Sequence, residues 1–538
     1  MKKITFLFIF ITQLSIAQPP TVGLLYDSGN ESDGYTLFTP LLNNEVYLIN
    51  NCGESVNHWT FTEIPGATCY LLTNGNLLRA GKDHVEIRDW NNNIIWSYAT
   101  TANGIPQHHD IEPLPNGNVL CIVADQTTLA QMTAMGRNPA LTGANMKLEK
   151  IVELHPVGLN GATIEWEWKF KDHFIQDYDA TKLNYGVVEN HPELLDVNYN
   201  NGNTIDWIHS NGIDYNAALD QILISSRHLN EIYIIDHSTT TAEAAGHTGG
   251  NSGHGGDFLW RWGNPEVYRQ GNVTDKKLFL QHDPKWVESG YSDFGKITVF
   301  NNGAPGTTQT FTSIVMLQPE IIGGVYTMTN NKFNPATYDW SWSGSILGVT
   351  VFENKQSGTH ALPNGNMIIS EASLGRVSEI TKSGTLLWSY KNPTGAIASG
   401  VPTIYNQFTN PSGNNTFFRA EKYPSNYAGF AGQNLTPNTA TIIEDQNSLS
   451  AACISALSNS GFESEKVFIL NPVKNHTIQF NKSIMADTIS VFDMNGRLIY
   501  NQNSFNGNSF DINVNPAIYL LQIKQGSLVK KLKIVVSQ

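Results

Sequence analysis

A tripeptide of the form Trp-x-aromatic recurs six times: Trp59-Thr-Phe61, Trp96-Ser-Tyr98, Trp166-Glu-Trp168, Trp260-Arg-Trp262, Trp340-Ser-Trp342 and Trp388-Ser-Tyr390. The six copies use nine of the twelve tryptophans. Spacing of two places both rings on one face of a strand, where they pack between neighbouring sheets. A second element also recurs. Leu71-Leu-Thr-Asn-Gly-Asn-Leu-Leu, Leu114-Pro-Asn-Gly-Asn-Val-Leu and Leu362-Pro-Asn-Gly-Asn-Met-Ile read as hairpins closed by the favoured Asn-Gly turn. Looser versions run over Asp214–Ile224 and Trp286–Phe300. One hairpin plus one Trp-marked strand pair makes a four-stranded sheet. Six such sheets hide their edges by radial closure, which predicts an all-β chain with a six-bladed β-propeller over residues 18–444. A multi-sheet sandwich is the alternative. The uneven distances between the tryptophans predict long insertions between blades.

Composition agrees with many short strands. Charged residues are 15% of the chain, against about 25% in an average soluble domain. Glycine is abundant, at 45 residues. The net charge of −14 repels phosphate backbones, so no nucleic-acid partner is expected, and an anion site must be a local reversal of the field. Met1–Lys3, the apolar run Ile4–Ile16 and the small residues Ser15 and Ala17 predict a signal peptide over 1–17, cleaved after Ala17. No later apolar stretch is long enough for a membrane span. The four cysteines form no C-x-x-C pair. Export permits a disulfide, for which spacing favours Cys52 with Cys69, and buried free thiols are the equal alternative.

Residues 445–465 are rich in Ser, Asn and Ala and read as a linker. Beyond it, Phe468-Ile-Leu-Asn-Pro-Val, Ile489-Ser-Val-Phe-Asp-Met-Asn-Gly-Arg-Leu-Ile, Ile518-Tyr-Leu-Leu-Gln-Ile and Val529-Lys-Lys-Leu-Lys-Ile-Val-Val read as strands of a small C-terminal β-sandwich over 466–538. The N-P, D-x-x-G-R and K-K-hydrophobic features resemble the C-terminal sorting domain of the type IX secretion system of Bacteroidetes. That resemblance implies a transport address read by the secretion machinery, a secreted or cell-surface protein, and no catalysis in this segment.

Histidines fall just before the innermost strand of four predicted blades, in Gln107-His-His-Asp-Ile-Glu, Trp207-Ile-His-Ser-Asn-Gly-Ile-Asp, Leu280-Gln-His-Asp-Pro-Lys-Trp and Gly358-Thr-His-Ala-Leu-Pro. Radial closure brings equivalent positions together at the axis. His108, His109, His209, His282 and His360 are therefore expected to form one site. Arg227, at the end of the hairpin after His209, offers a planar fork of donors suited to a tetrahedral oxyanion. Its alternative is an ion pair between blades. Two chemistries compete for the histidines. Metal binding would use neutral imidazoles with Asp110 or Asp283; group transfer would use one imidazole as nucleophile and the others as donors. A cation such as Arg227 favours transfer, and no metal or other cofactor is expected. Nucleotide-binding fingerprints are absent. The loop Gly246–Gly256 reads as a solvated connection, with a cover over the site as the alternative.

His-His-Asp-x-x-x-Leu-Pro-Asn-Gly-Asn, Trp-x-His-x-Asn, Ser-Ser-Arg-His, Gly256-Asp-Phe-Leu-Trp-Arg-Trp-Gly-Asn-Pro, Gln281-His-Asp and Arg419-Ala-Glu-Lys-Tyr-Pro together resemble the bacterial arylsulfate sulfotransferases. The resemblance implies a six-bladed propeller that moves a sulfuryl group from a phenolic sulfate ester to a phenol acceptor. The implied reaction is ping-pong through a sulfated histidine and needs no nucleotide donor. It implies His282 as nucleophile, with His209, Asn211 and Arg227 holding the sulfuryl oxygens. His109 matches a further histidine, with His108 as its fallback, and His360 and Thr359 match more weakly. Two other functions are compatible with such a propeller: a non-catalytic surface binder of glycan or protein, and a quinoprotein-like oxidoreductase.

Overall fold

All six Trp-marked tripeptides lie on, or run to the end of, the fourth strand of a sheet in the computed structural model, which describes residues 19–303, 310–437, 443–445, 453, 473, 476–494, 496–525 and 528–536. The predicted signal peptide lies outside the described residues, as does the predicted linker apart from Asp445 and Cys453. The chain is all-β. It divides into two units, Met1–Asn447 and Ser448–Gln538.

The first unit contains six main antiparallel sheets. Sheet I runs Phe417–Pro424, Gly34–Pro40, Glu45–Asn50, Ser55–Thr60 from inside to outside. Sheet II runs Pro65–Leu71, Leu77–Gly81, Val85–Arg88, Ile94–Tyr98, and sheet III runs Gln107–Pro113, Val119–Thr128, Asn145–Val157, Gly161–Lys169. Sheet IV comprises Ser210–Asn216, Gln221–Ser226, Glu231–Asp236 and Trp260–Trp262, and sheet V His282–Trp286, Ile297–Asn301, Ser313–Leu317 and Trp340–Trp342. Sheet VI comprises Gly358–Ala361, Met367–Glu371, Arg376–Ile380 and Leu386–Lys391, with Gly23–Asp27 added outside. Each innermost strand neighbours that of the next sheet, and the strand of sheet VI neighbours that of sheet I, so the order is cyclic. Both ends of the unit take part in closure: Phe417–Pro424 completes the sheet begun by Gly34–Pro40, and Gly23–Asp27 pairs with Leu386–Lys391.

The three Leu-x-Asn-Gly-Asn hairpins join the first and second strands of sheets II, III and VI. Their glycines, Gly75, Gly117 and Gly365, adopt φ of 84°, 87° and 83°, a left-handed conformation open to glycine at little steric cost. The tryptophans pack between sheets as expected, most of them fully buried, with Trp340 and Trp342 half-buried.

At the axis one buried layer draws on all six innermost strands. Arg419 of sheet I donates from Nη2 to both Asp110 oxygens of sheet III, each at 2.8 Å, and its Nη1 pairs with Asp283 Oδ1 of sheet V at 2.9 Å. Thr68 and Tyr70 of sheet II donate to Asp110 Oδ1, the Ile213 amide of sheet IV to Asp110 Oδ2, and the Thr359 amide of sheet VI to Asp283 Oδ2. Arg419 also donates to the Tyr70 hydroxyl. The layer plugs the axis and sets the depth at which the preceding residues emerge.

Cys69 and Cys121 are free and buried, so the expected Cys52–Cys69 pair does not form. Cys69 faces the apolar cluster of Leu37, Trp59 and Leu71 between sheets I and II, where burial pushes its thiol up to about 12. In the second unit the described strands form one antiparallel sheet, ordered Leu498–Asp511, Thr477–Asp493, Ile518–Gln525, Leu528–Val535, over an apolar cluster that includes Ile489, Val491, Leu521 and Ile523. No second sheet of the expected sandwich stands among the described residues. No helix there is long and apolar enough to cross a membrane.

Candidate active site at the axis

The innermost strands begin at one end of the axis, and that is where the histidines gather. His109 and His282 each come one residue before the buried layer, which takes Asp110 and Asp283 from the same strands. Phe418 comes one residue before Arg419, and its ring lies 5.4 Å from that of His109 and 6.1 Å from that of His282. Register shifts interrupt the pairing at this end of the strands of sheets III, IV and V. Such bulges re-aim side chains. His109, His209 and Asp283 carry φ of 61°, 54° and 53°, and Gln356 and Ser357 carry 55° and 77°. Strained backbone of this kind costs about 1–3 kcal/mol per residue and gathers at functional sites.

His282 is 2% exposed. Its Nδ1 lies 2.8 Å from Asn302 Oδ1 and 3.0 Å from the Leu280 carbonyl, both acceptors, so Nδ1 carries the proton and Nε2 the lone pair. That lone pair accepts the Gln356 amide at 3.0 Å. Burial above all, with the charges of Arg227 and His209, holds His282 well below the ordinary histidine value of about 6.5, although the Asn302 contact pulls the other way. The imidazole is therefore neutral at pH 7. Asp283, next in sequence, does not orient it: the Asp283 carboxylate faces Arg419 and the Thr359 amide.

Four more imidazoles gather at the same end of the axis. His109 Nε2 and His209 Nε2 approach to 3.1 Å, so one of the two nitrogens donates a proton to the other. Asp206 Oδ2 accepts from His209 Nδ1 at 2.5 Å, and the ring of His108 lies 4.0 Å from that of His109. Lys147 donates to His108 Nε2 at 2.9 Å, leaving the His108 proton on Nδ1, towards Glu149 at 3.5 Å. Burial first, then Lys147 and His209, push His108 down to about 3. Arg227 donates to His228 Nε2 at 2.7 Å and to the Asn354 carbonyl at 3.1 Å, and His228 Nδ1 in turn donates to the Asp206 carbonyl. Asn211 is fully buried, with Nδ2 on the Gln281 carbonyl and Oδ1 without a hydrogen-bond partner among the described residues. Arg227 and Lys147 thus supply positive charge at the axis of an acidic chain.

The structure brings together His108, His109, His209, His282, Arg227 and Asn211. It sets His360 and Thr359 elsewhere. Thr359 gives its amide to the buried layer and its hydroxyl to the Ile368 carbonyl. His360 follows the layer by one residue instead of preceding it, so alternation turns its ring away. It accepts the Lys422 amide at 3.2 Å and lies 3.6 Å from Glu421. Gln356 reaches His282 in its place.

With this geometry in view, residues 47–399 match the family model Arylsulfotransferase (ASST). The chain belongs to the arylsulfotransferase family. Residues 471–537 match the secretion system C-terminal sorting domain, which directs this arylsulfotransferase to secretion and the cell surface or exterior. No curated protein matches the chain. Solved structures similar to it include a protein of unknown function from Bacteroides caccae, at 14% identity and TM-score 0.36 over 67% of this chain and 94% of that one. A streptogramin B lyase follows at 12% and 0.33, over 70% and 85%. The β-propeller domain of Cps50 (Swd1) from Myceliophteria_thermophila stands at 8% and 0.35, over 70% and 91%. At such scores none of them bears on fold or function.

Sequence reading missed Lys147, Asp206, His228, Asn302, Gln356 and Phe418. Asp206 directly precedes the Trp207 motif and His228 closes the Ser-Ser-Arg-His motif, so both were within reach of it. Lys147 sits in the hairpin extension Asn145–Val157, and Asn302 and Gln356 follow or precede strands without any motif, so only packing brings them in.

Proposed function

We propose that the six sheets are the blades of a six-bladed β-propeller. At one mouth of its axis the protein transfers a sulfuryl group from a phenolic sulfate ester to a phenol by a ping-pong route through sulfated His282. The cyclic order of the innermost strands supports the fold reading. One observation carries the mechanism: a neutral buried imidazole whose Nδ1 proton is held by Asn302 and Leu280, leaving an Nε2 lone pair beside the charges of Arg227 and His209.

His282 Nε2 attacks sulfur, the N–S bond forms and the S–O(aryl) bond breaks. The electron pair leaves on the phenolate, which takes a proton from the His109–His209 pair in its singly protonated, imidazolium form and leaves two neutral rings. The acceptor phenol returns a proton to that pair, its oxygen attacks sulfur, and the N–S bond breaks to restore the lone pair. Arg227, Asn211 and His209 surround the sulfuryl oxygens with donors. The Gln356 amide must leave Nε2 before attack, and it then stands ready to donate to a sulfuryl oxygen. His360 and Thr359 belong to the buried layer and its far side and take no part.

The test is turnover of an aryl sulfate with and without a phenol acceptor. Acceptor-dependent release, parallel double-reciprocal plots and a donor-treated protein heavier by one SO3 group on His282 are expected. Full activity in His282→Ala overturns the nucleophile, and no acceptor-dependent release with a range of aryl sulfates overturns the reading as a whole.

A further inference from the structure

The glycine-rich loop Gly246–Gly256 takes no part in the transfer site. It packs beside the outer strand of sheet III, where the Gly256 carbonyl accepts the Trp168 indole N–H at 2.7 Å. Trp168 stacks at 5.3 Å on His173, which is fully buried. The loop is shaped around that imidazole. A side chain at Gly256 would meet the His173 ring at 2.8 Å and the Ala244 carbonyl at 2.1 Å, and Gly249, Gly250, Gly253 and Gly255 all adopt left-handed φ.

His173 Nε2 lies 2.9 Å from the Ala244 carbonyl. A carbonyl only accepts, so Nε2 carries the proton and neutral His173 turns the lone pair of Nδ1 outwards. That lone pair points at Asp257 Oδ1, 2.8 Å away, itself an acceptor. The same oxygen lies 2.8 Å from His247 Nδ1. Two ring nitrogens and a carboxylate oxygen thus converge from three segments of chain. A positive bridge must sit among them: either a second proton on the buried ring or a metal ion. The hydrogen bond from Nε2 to a backbone carbonyl is the outer contact that metal-bound histidines make. Nitrogen and carboxylate donors select the zinc class of divalent transition metals over calcium or magnesium. Bonds of about 2.0–2.1 Å in a tetrahedron separate ligand atoms by about 3.3 Å, so the two contacts to Asp257 Oδ1 need lengthen by only about half an ångström, and all three atoms already lie within 4.8 Å of one another. A fourth position faces a cavity of about 600 Å³ that His247, Asp257, Ser252 and His254 help to line.

We propose that His173 Nδ1, His247 Nδ1 and Asp257 Oδ1 bind one zinc-class divalent ion, which fastens the Gly246–Gly256 loop to sheets III and IV. The experiment uses the full chain without an affinity tag, stripped with a chelator. It is titrated with Zn2+ against a chromophoric chelator and with Co2+ for visible absorbance. One equivalent is expected, with tetrahedral-type cobalt absorbance, and binding weakened by about tenfold or more in His247→Ala and Asp257→Asn. His247 is 59% exposed, so its truncation leaves the fold intact. Zn2+ should raise the Tm of the native chain and leave that of His247→Ala unmoved. His108, His109 and His209 at the axis are the competing ligands. An equivalent that survives His247→Ala and disappears in His209→Ala overturns the proposal. So does the absence of any bound equivalent, which assigns the bridge to a proton.

Discussion

At the scale of single residues, the tautomer of His282 decides what the axis can do. Nitrogen lone pairs on imidazole are equivalent until a neighbour chooses between them, and Asn302 Oδ1 and the Leu280 carbonyl choose Nδ1 for the proton. A histidine held below its ordinary value stays neutral as pH falls, so its nucleophilic form persists into acid. The acid limb of kcat/KM against pH is therefore expected below 6.5, and a limb at or above 6.5 would contradict the burial argument. Asn302→Asp replaces a neutral acceptor with a carboxylate, which favours the imidazolium. The acid limb should move to higher pH, with the rate at neutral pH reduced. Asn302→Ala leaves the ring unoriented and should lower kcat by about 10–100-fold while moving KM little, since Asn302 acts through His282 and touches no substrate.

At the scale of the elements, each Trp-marked strand does more than fill space. The indole N–H of Trp59 donates to Asp89, Trp96 to Gly161, Trp168 to Gly256, Trp260 to Asn334, Trp340 to Lys382 and Trp388 to Asn51, always to a backbone carbonyl. Every acceptor lies between, or at the boundary of, the third and fourth strands of the following sheet, and the last bond returns from sheet VI to sheet I. One residue type, first in the tripeptide in five sheets and third in sheet III, therefore links all six sheets in a ring. Trp388 is fully buried, and Trp388→Phe keeps most of the packing while leaving the Asn51 carbonyl unpaired. A loss of about 1–3 kcal/mol is expected, against about 3–5 for Trp388→Ala. Denaturant midpoints at constant m-value would separate the two.

At the scale of the whole molecule, closure and the site depend on one buried cation. Arg419 comes from the last strand of the first unit and meets carboxylates from sheets III and V. Arg419→Met would strand Asp110 and Asp283 in a dry layer, at a cost of about 3–5 kcal/mol. It should also lower activity, because His109 and His282 precede those two carboxylates on the same strands. Ending the chain at Glu465 spares that strand, the whole ring and the disulfide-bonded Cys453, so the shortened protein should keep its melting transition and its transfer activity while losing secretion. Ending it before Phe417 should prevent folding.

Much of this was legible in the sequence because it is periodic. Two-residue alternation put the tryptophan pairs on one strand face, Asn-Gly turns located three hairpins, and histidines before four strands pointed to one end of an axis. Those signals rest on local geometry, which a strand imposes wherever it lies. Depth along the axis is different. His360 reads like His109 and His282 in its motif, but it stands after the buried layer instead of before it, and one residue turns a strand side chain to the other face. Only the packing of Arg419 against Asp110 and Asp283 sets where that layer falls. The same holds for the thiol of Cys69, committed to an apolar cluster, and for Lys147, Asn302 and Gln356, which reach the site from segments with no motif. The sequence alone determined the sheets and which residue types converge. The tertiary structure alone decided which of them face one another, since register and depth come from contacts between strands far apart in the chain.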